Sequence, residues 1–319
     1  MKVACIQMDV LQCRKDKNVG KALSMALEAV GKGAELIVLP EVFSTGFCYE
    51  NFDHAAESFP SPTLENLSCF SEANDCILMG SFIEKVALEK EGAENLASGK
   101  EGIKNYSREM EQNKETALEK KGINNAVSGN AVAEDVASGK KTEENKNSFL
   151  YYNLGFCFES GALAGTYRKT HPFKTENCYF SRGNSIEPIT LKTRGLKVGF
   201  EICYELRFPE IARKLALAGS DILVTTAAFP NPRSEHWKTL VKARAIENQV
   251  PHIACNRIGK APEAIYFGSS MVVDAWGEVK AYAGHKECVI VHDLDLDGKD
   301  EIRKSIPVFE DRRAELYFS

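Results

Sequence analysis

Two residues stand where the chain changes its periodicity and carry side chains that can attack a carbon or move a proton. The first is Cys203, in LKVGFEICYELRFPE at 196–210. Before it, Val198, Phe200 and Ile202 alternate with Lys197, Gly199 and Glu201, a period of two that predicts a strand with unlike faces. After it, Pro209 opens the helical pattern PEIARKLALAG, closed by Gly219. A thiol at this handover projects from the sheet edge, near backbone N–H groups and the positive end of the helix. Both favour a thiolate and a developing oxyanion. The competing reading is a packing cysteine, one of ten in the chain. The second residue is Glu41, which follows the apolar run AELIVL and Pro40. A carboxylate there is either a solvated loop charge or a group held at the edge of a sheet.

Elements able to position such groups follow from the apolar pattern. Val3 to Met8 reads as a buried strand, Lys17 to Lys32 as an amphipathic helix and Ala34 to Leu39 as a strand. Pro62 to Asn74 reads as a helix and Cys76 to Ile83 as a strand. Phe149 to Phe158 and Ala162 to Tyr167 form a predicted hairpin turning at Glu159–Gly161. A loop with Glu176, Phe180 and Gly183 leads to the Cys203 strand. Then come a strand at Asp221 to Thr226, a helix at Ser234 to Asn248 capped by Ser234, and a strand at Pro251 to Asn256. Strands at Gly268 to Asp274, Val279 to Ala283 and Glu287 to Leu294 and a helix at Asp297 to Ser305 complete the pattern. Strands alternating with helices in one part and forming hairpins in another indicate an α/β protein, and two face-to-face sheets covered by helices fit the count.

The 319 residues suit a single large domain, 1–319, interrupted once. From Lys85 to Ser148 there is no Pro, Cys or His, and one aromatic, Tyr106. ALEKEGAENLASGK at 87–100 returns as ALEKKGINNAVSGN at 117–130. So polar and repetitive a stretch is expected to be a disordered or loosely helical insertion in a surface loop, where added length costs little stability. The alternative is an arm that binds a partner. A formal charge of −5 with no basic patch argues against a nucleic-acid binder. No apolar run approaches the roughly twenty residues of a membrane span, and MKVACIQMDV carries no export signal. The cysteines include no CxxC pair, so reduced thiols and a cytoplasmic setting are expected. Cys5, Cys157 and Cys255 read as strand-core packing, and Cys13 and Cys48 as loop residues. The six histidines include no HExxH, so neither a metal site nor a cofactor is expected.

At this point the chain resembles the carbon–nitrogen hydrolase (nitrilase) superfamily. LPEVFSTGF resembles the family's glutamate block, with Glu41; TYRKTHPF its lysine block, with Lys169; and GFEICYELRFPE its cysteine block, with Cys203. KARAIENQ, CNRIG and SSMVVDAWGEV agree, so the likeness runs from Lys2 to about Tyr317 apart from the insertion. The resemblance implies a four-layer αββα sandwich, a homodimer or higher homo-oligomer, and a meeting of Glu41, Lys169 and Cys203 that linear sequence cannot show. It implies a metal-independent reaction in which Cys203 attacks an amide carbon and Glu41 relays the proton. Lys169 and the backbone N–H of Tyr204 would hold the oxyanion. Glu176 is the candidate for a second active-site glutamate, against a solvated loop carboxylate.

Cys203-Tyr204-Glu205-Leu206-Arg207-Phe208-Pro209 and the tail Glu310 to Tyr317 are similar to the omega-amidase branch. Arg207 would then hold a substrate carboxylate by paired hydrogen bonds, as in 2-oxoglutaramate or succinamate, against a structural ion pair on the following helix. Another amidase or an N-carbamoyl amidohydrolase of the family, and a non-catalytic scaffold using the insertion, are the alternatives.

Overall fold

A computed structural model of the chain describes residues 1–88, 149–262 and 264–317. The first half consists of strand β1 (Lys2–Gln7), helix α1 (Lys15–Gly31), strand β2 (Leu36–Val38), the helical turn α2 (Phe52–Ala55) and helix α3 (Pro62–Ala73). Strands β3 (Ile77–Ala87), β4 (Phe149–Glu159) and β5 (Ala162–Arg168) complete it. The second half opens with β6 (Ile189–Leu191), β7 (Leu196–Ile202), helix α4 (Pro209–Leu217), β8 (Ile222–Ala227), helix α5 (Ser234–Asn248) and β9 (His252–Asn256). The hairpin β10 (Ile258–Ala261) and β11 (Ala264–Phe267), strands β12 (Met271–Val273), β13 (Val279–Tyr282) and β14 (Cys288–Asp293), and helix α6 (Lys299–Ser305) follow.

Two six-stranded sheets result, ordered β14-β1-β2-β3-β4-β5 and β13-β12-β9-β8-β7-β6. Each has a parallel trio at its centre, β1-β2-β3 and β7-β8-β9, flanked by antiparallel strands. The period of two along each strand decides what faces what. On β1, Val3 and Cys5 enter a core between the sheets, while Ala4 and Ile6 meet α1 and α3 through Val19, Ala22, Leu64 and Leu67. On β8, Ile222 and Val224 face the same inter-sheet core, while Leu223 packs on Ile211 and Leu215 of α4. The layers are therefore helix, sheet, sheet, helix, the αββα sandwich expected. The sheets approach closely at Gly155, where a Cβ would lie 2.3 Å from the Phe200 ring. Only glycine admits that contact.

Local chemistry explains the boundaries. The α3 start is fixed by Ser61, whose Oγ accepts from Leu64 N at 3.2 Å, with Pro62 at the first helical position. Ser234, the expected cap of α5, is instead its first helical residue. Arg233 is the N-cap and makes no side-chain cap. The strand β3 outruns the predicted end at Ile83, because Glu84 to Ala87 pair with Tyr152 to Phe149 of β4. Lys85, Val86 and Ala87 are thus strand residues rather than part of the repeat stretch, and the rest of that stretch, 89–148, lies outside the described residues. The strands β6, β10 and β11 are three or four residues long, too short for alternation to reveal. The expectation of ten reduced cysteines is corrected. Cys13 and Cys48 form a disulfide across 35 residues, with Cα atoms 5.2 Å apart, while the other eight are free thiols. Sequence spacing could not bring together two loops that the fold closes on each other.

Candidate active site

Glu41, Lys169 and Cys203 lie at or just beyond the carboxyl ends of strands, the side on which open α/β sheets bind ligands, and Glu176 lies in the loop after β5. Glu41 follows β2, Lys169 is the residue after β5, Glu176 lies in a 3-10 turn at Lys174–Cys178, and Cys203 begins the 3-10 turn Cys203–Arg207 directly after β7. Cross-sheet bonds fix the rim. Glu41 N donates to Ala227 O at 3.4 Å, and Thr226 Oγ1 to Leu39 O at 2.6 Å. Cys203 has a φ of +51°, a left-handed conformation that costs about 1–2 kcal/mol in a non-glycine residue. The chain reverses sharply there and turns the sulfur toward the glutamates. Lys169 is braced from behind: Gly183 N donates to Lys169 O at 2.9 Å, and a Cβ at Gly183 would lie 2.0 Å from Arg168 O.

Glu41, Lys169 and Glu176 form one buried cluster. The Lys169 ammonium donates to Glu41 Oε1 at 2.7 Å and to Glu176 Oε2 at 2.8 Å. Glu41 also accepts from Asn153 Nδ2 at 2.8 Å and from Ala228 N at 2.9 Å. The Cys203 thiol lies close enough to Glu41 to feel its charge. Two carboxylates and one ammonium leave a net negative charge in a buried space, and the titration shifts follow from that. Burial pulls Lys169 down, but Glu176 and Glu41 outweigh it and hold the lysine protonated well above its usual range. Burial lifts Glu176 to about 7; Lys169 opposes the rise and Glu41 adds to it. Burial and the Glu41 charge push the Cys203 thiol well above its usual value against the pull of Lys169.

That last shift corrects the expectation of a thiolate at rest. The α4 helix begins at Pro209, beyond the 3-10 turn, so its positive end is not at the sulfur. The resting thiol is neutral and sits beside Glu41. Such a site can attack an electrophilic carbon only as the carboxylate removes the proton, which is general-base chemistry.

Above the cluster opens a cavity of about 550 Å³ that Cys203, Glu176, Tyr204 and Arg207 all line, with Tyr49, Phe173, Phe229, Arg233 and Tyr266. The Arg207 guanidinium sits 5.1 Å above the Phe229 ring and 3.5 Å from His236 Nδ1. Among the described residues it has no carboxylate partner, so the structural ion pair that competed for it is not formed. Tyr204 packs its ring on Phe173 and Phe208.

Asn153 and Ala228, both on Glu41, escaped the sequence reading. Asn153 sits in the middle of the apolar run FLYYNLGFCF, and a polar residue there was the available signal. For Ala228 the contact is a backbone N–H, which no sequence pattern marks.

Comparison with known proteins agrees with this geometry. The carbon–nitrogen hydrolase family profile matches residues 2–121 and 115–304. The chain is 30% identical over 317 residues to the 2-oxoglutaramate amidase of Bacillus subtilis (strain 168), covering 99% of this chain and 98% of that one. It is 28% identical over 326 residues to an omega-amidase of Homo sapiens, covering 99% and 96%. A crystal structure of a carbon-nitrogen hydrolase from Helicobacter pylori G27 superposes with a TM-score of 0.74 at 25% identity, covering 99% of this chain and 97% of the other.

Proposed function

The chain belongs to the carbon–nitrogen hydrolase family and hydrolyses amides, and from that premise we propose an omega-amidase whose substrate is a small carboxylate-bearing amide, 2-oxoglutaramate or succinamate, cleaved to acid and ammonia through a thioester on Cys203. The observation that carries the reading is the Lys169 ammonium held between Glu41 and Glu176 beside a neutral thiol, with the Arg207 guanidinium free of any carboxylate partner among the described residues of the same cavity.

In the proposed reaction the Cys203 sulfur bonds to the amide carbon while Glu41 takes the thiol proton. The oxyanion is held by the Lys169 ammonium and the Tyr204 backbone N–H. Glu41 passes its proton to the departing nitrogen, the C–N bond breaks, and ammonia leaves a thioester. Glu41 then takes a proton from water as the oxygen attacks the thioester carbon, and returns it to the leaving sulfur. Glu176 holds Lys169 in place throughout. Arg207 takes the substrate carboxylate in paired hydrogen bonds, which fixes the amide over the sulfur.

The cavity of about 550 Å³ has room beyond a five-carbon monoamide, which favours one second reading, an amidase acting on a larger or N-carbamoyl substrate. The buried cluster weighs against a non-catalytic scaffold, since unrewarded burial of three ionisable groups is costly. The proposal extends to a cytoplasmic homo-oligomer. Eight free thiols suit the compartment, whereas the Cys13–Cys48 disulfide weighs against it; no described helix is long and apolar enough to cross a membrane. Exposed Leu217 and Ile246 on α4 and α5 suit association. The 89–148 stretch is read as decoration. The paired ends Ala87 and Phe149 can be rejoined by a short turn, and removal of 89–148 should leave turnover within about twofold.

The test is ammonia release from 2-oxoglutaramate, succinamate, an N-carbamoyl amino acid, an uncharged aliphatic amide and a nitrile. Preference for the first two supports the proposal. Preference for the carbamoyl or uncharged compounds keeps the nucleophile and discards the role of Arg207.

A further inference from the structure

The two sheets contribute the halves of the site separately, Lys169 from the end of β5 and Cys203 from the end of β7, and one buried carboxylate spans the gap between the backbones that carry them. Glu205 is fully buried. Its Oε1 accepts from Thr170 N at 2.7 Å, Thr170 Oγ1 at 2.6 Å, Tyr167 Oη at 2.7 Å and His171 N at 3.2 Å. Its Oε2 accepts from Ile202 N at 2.8 Å. The first set brackets Lys169 in sequence; the last is the residue immediately before Cys203. The structure assigns Glu205 as a positioning residue that sets the Lys169 ammonium against the Cys203 sulfur by tying their backbones together.

Ring contacts of Phe173 with Tyr204 and of His171 with Phe208 also join the two stretches, but among the described residues Glu205 is the carboxylate that hydrogen-bonds both backbones. Lys169 and Glu176 belong to one stretch of chain after β5, so their hydrogen bond does not hold that stretch to Cys203. Glu41 reaches Lys169 from β2, in the same sheet as β5. A carboxylate has the capacity that such a tie needs. Its two oxygens accept from five donors, and a neutral amide in its place would turn an NH₂ toward N–H groups that need an acceptor. Burial alone would raise the Glu205 carboxyl, but the hydrogen bonds from His171, Thr170, Tyr167 and Ile202 outweigh it and hold the group below its usual range. Glu205 therefore stays ionised, with charge-assisted bonds that are roughly twice as strong as neutral ones. A displacement of about 1 Å between reacting groups costs on the order of 10²-fold in rate, so the tie has a kinetic consequence beyond stability.

The role rests on the proposed function of Lys169 and Cys203, and its test is read on the thiol so that it needs no substrate. Cys203 alkylation by iodoacetamide at fixed pH, located by peptide mapping, is compared in wild type, Glu205→Gln, Lys169→Ala and the double variant. Lys169 lowers the thiol's pKa, so Lys169→Ala slows alkylation. Glu205→Gln is expected to slow it about tenfold through misplacement of Lys169, and to add less than about twofold once Lys169 is gone. Glu205→Asp, which keeps the charge, should recover part of the rate.

Two outcomes overturn the assignment. Faster alkylation in Glu205→Gln would mean that only the loss of a negative charge is felt. Effects of Glu205→Gln and Lys169→Ala that multiply would mean that the two act independently. Should Glu205→Gln fail to fold, Tyr167→Phe and Thr170→Ala each remove part of the tie, and each should slow alkylation a few-fold only while Lys169 is present. With 2-oxoglutaramate, kcat is expected to fall about 10²-fold in Glu205→Gln with KM within about threefold. No wild-type turnover on any amide, with the alkylation pattern intact, would instead refute the substrate and leave the positioning role standing.

Discussion

The two sides of the β7 end are equally buried and electrostatically opposite. On the inner side, between the sheets, Glu41 and Glu176 hydrogen-bond the Lys169 ammonium and hold it protonated well above its usual range. On the helix side, Glu201 shows the outcome when donors are missing. Its Oε2 accepts one bond, from Thr225 Oγ1 at 3.3 Å, and its Oε1 has no hydrogen-bond partner among the described residues. Burial pushes its carboxyl up to about 8, with Arg244 the chief opposing influence. His252, 2.7 Å from the same Thr225, is driven down to about 4 by burial, so this side holds neutral polar groups near pH 7. Glu201 and Glu205 sit two residues either side of Cys203 and differ in charge because one meets a single donor and the other five. Burial sets how much a charge costs; the supply of partners decides whether it survives.

The largest expected effect comes from breaking the charged side. Lys169→Met removes the cation that both glutamates share. Steady-state kinetics should show kcat lower by at least about 10²–10³-fold. Without the ammonium, the two carboxylates can lower their cost only by taking up protons, so the variant's folded-state carboxyl pKa values rise. Its loss of melting temperature should therefore be smaller at pH 5 than at pH 8; an equal loss at both would break the comparison.

Arg207 sharpens it from the solvent side, where a half-buried charge persists with no carboxylate partner among the described residues. Arg207→Ala should raise KM for 2-oxoglutaramate about ten- to a hundredfold, as expected when a charge-assisted pair worth roughly 1.5–3 kcal/mol is lost. KM for an uncharged aliphatic amide should be unchanged. Equal losses on both substrates would show that Arg207 supports the cavity wall instead.

The smallest effect tests the neutral side. The Glu201 carboxyl is raised in the folded protein from an ordinary 4.5 to about 8, so between those values the unfolded chain binds fewer protons. Its favourable contribution is complete below pH 4.5 and is lost as pH rises through 8. Glu201→Gln, which cannot ionise, should lose less melting temperature than wild type between pH 5 and pH 9. Parallel curves would mean that Glu201 has a partner the geometry does not show.

How legible this was varies residue by residue. Cys203 and Glu41 stood out because each ends an apolar strand pattern, and a strand's end is where a backbone can present a side chain. Lys169 and Glu176 carry no periodic signal; only likeness to a family marked them. The fold was legible through alternation, since strands with two apolar faces need covers on both. The state of the thiol was not. Motif residues suggested a thiolate, but the long helix begins too late and Glu41 sits beside the sulfur. The contacts of Glu205 and Asn153 and the Cys13–Cys48 disulfide were invisible for a common reason: each depends on which segments the packed sheets bring together, and that is a property of the closed sandwich.

The most direct measurement is acid-quenched mass spectrometry of the protein mixed with 2-oxoglutaramate, followed by peptide mapping. An acyl adduct of the substrate's mass less ammonia should appear on the peptide containing Cys203 and decay as the acid product forms. Folded Cys203→Ala should show neither adduct nor turnover. Continued ammonia release by Cys203→Ala, or an adduct confined to another cysteine, would contradict the central claim.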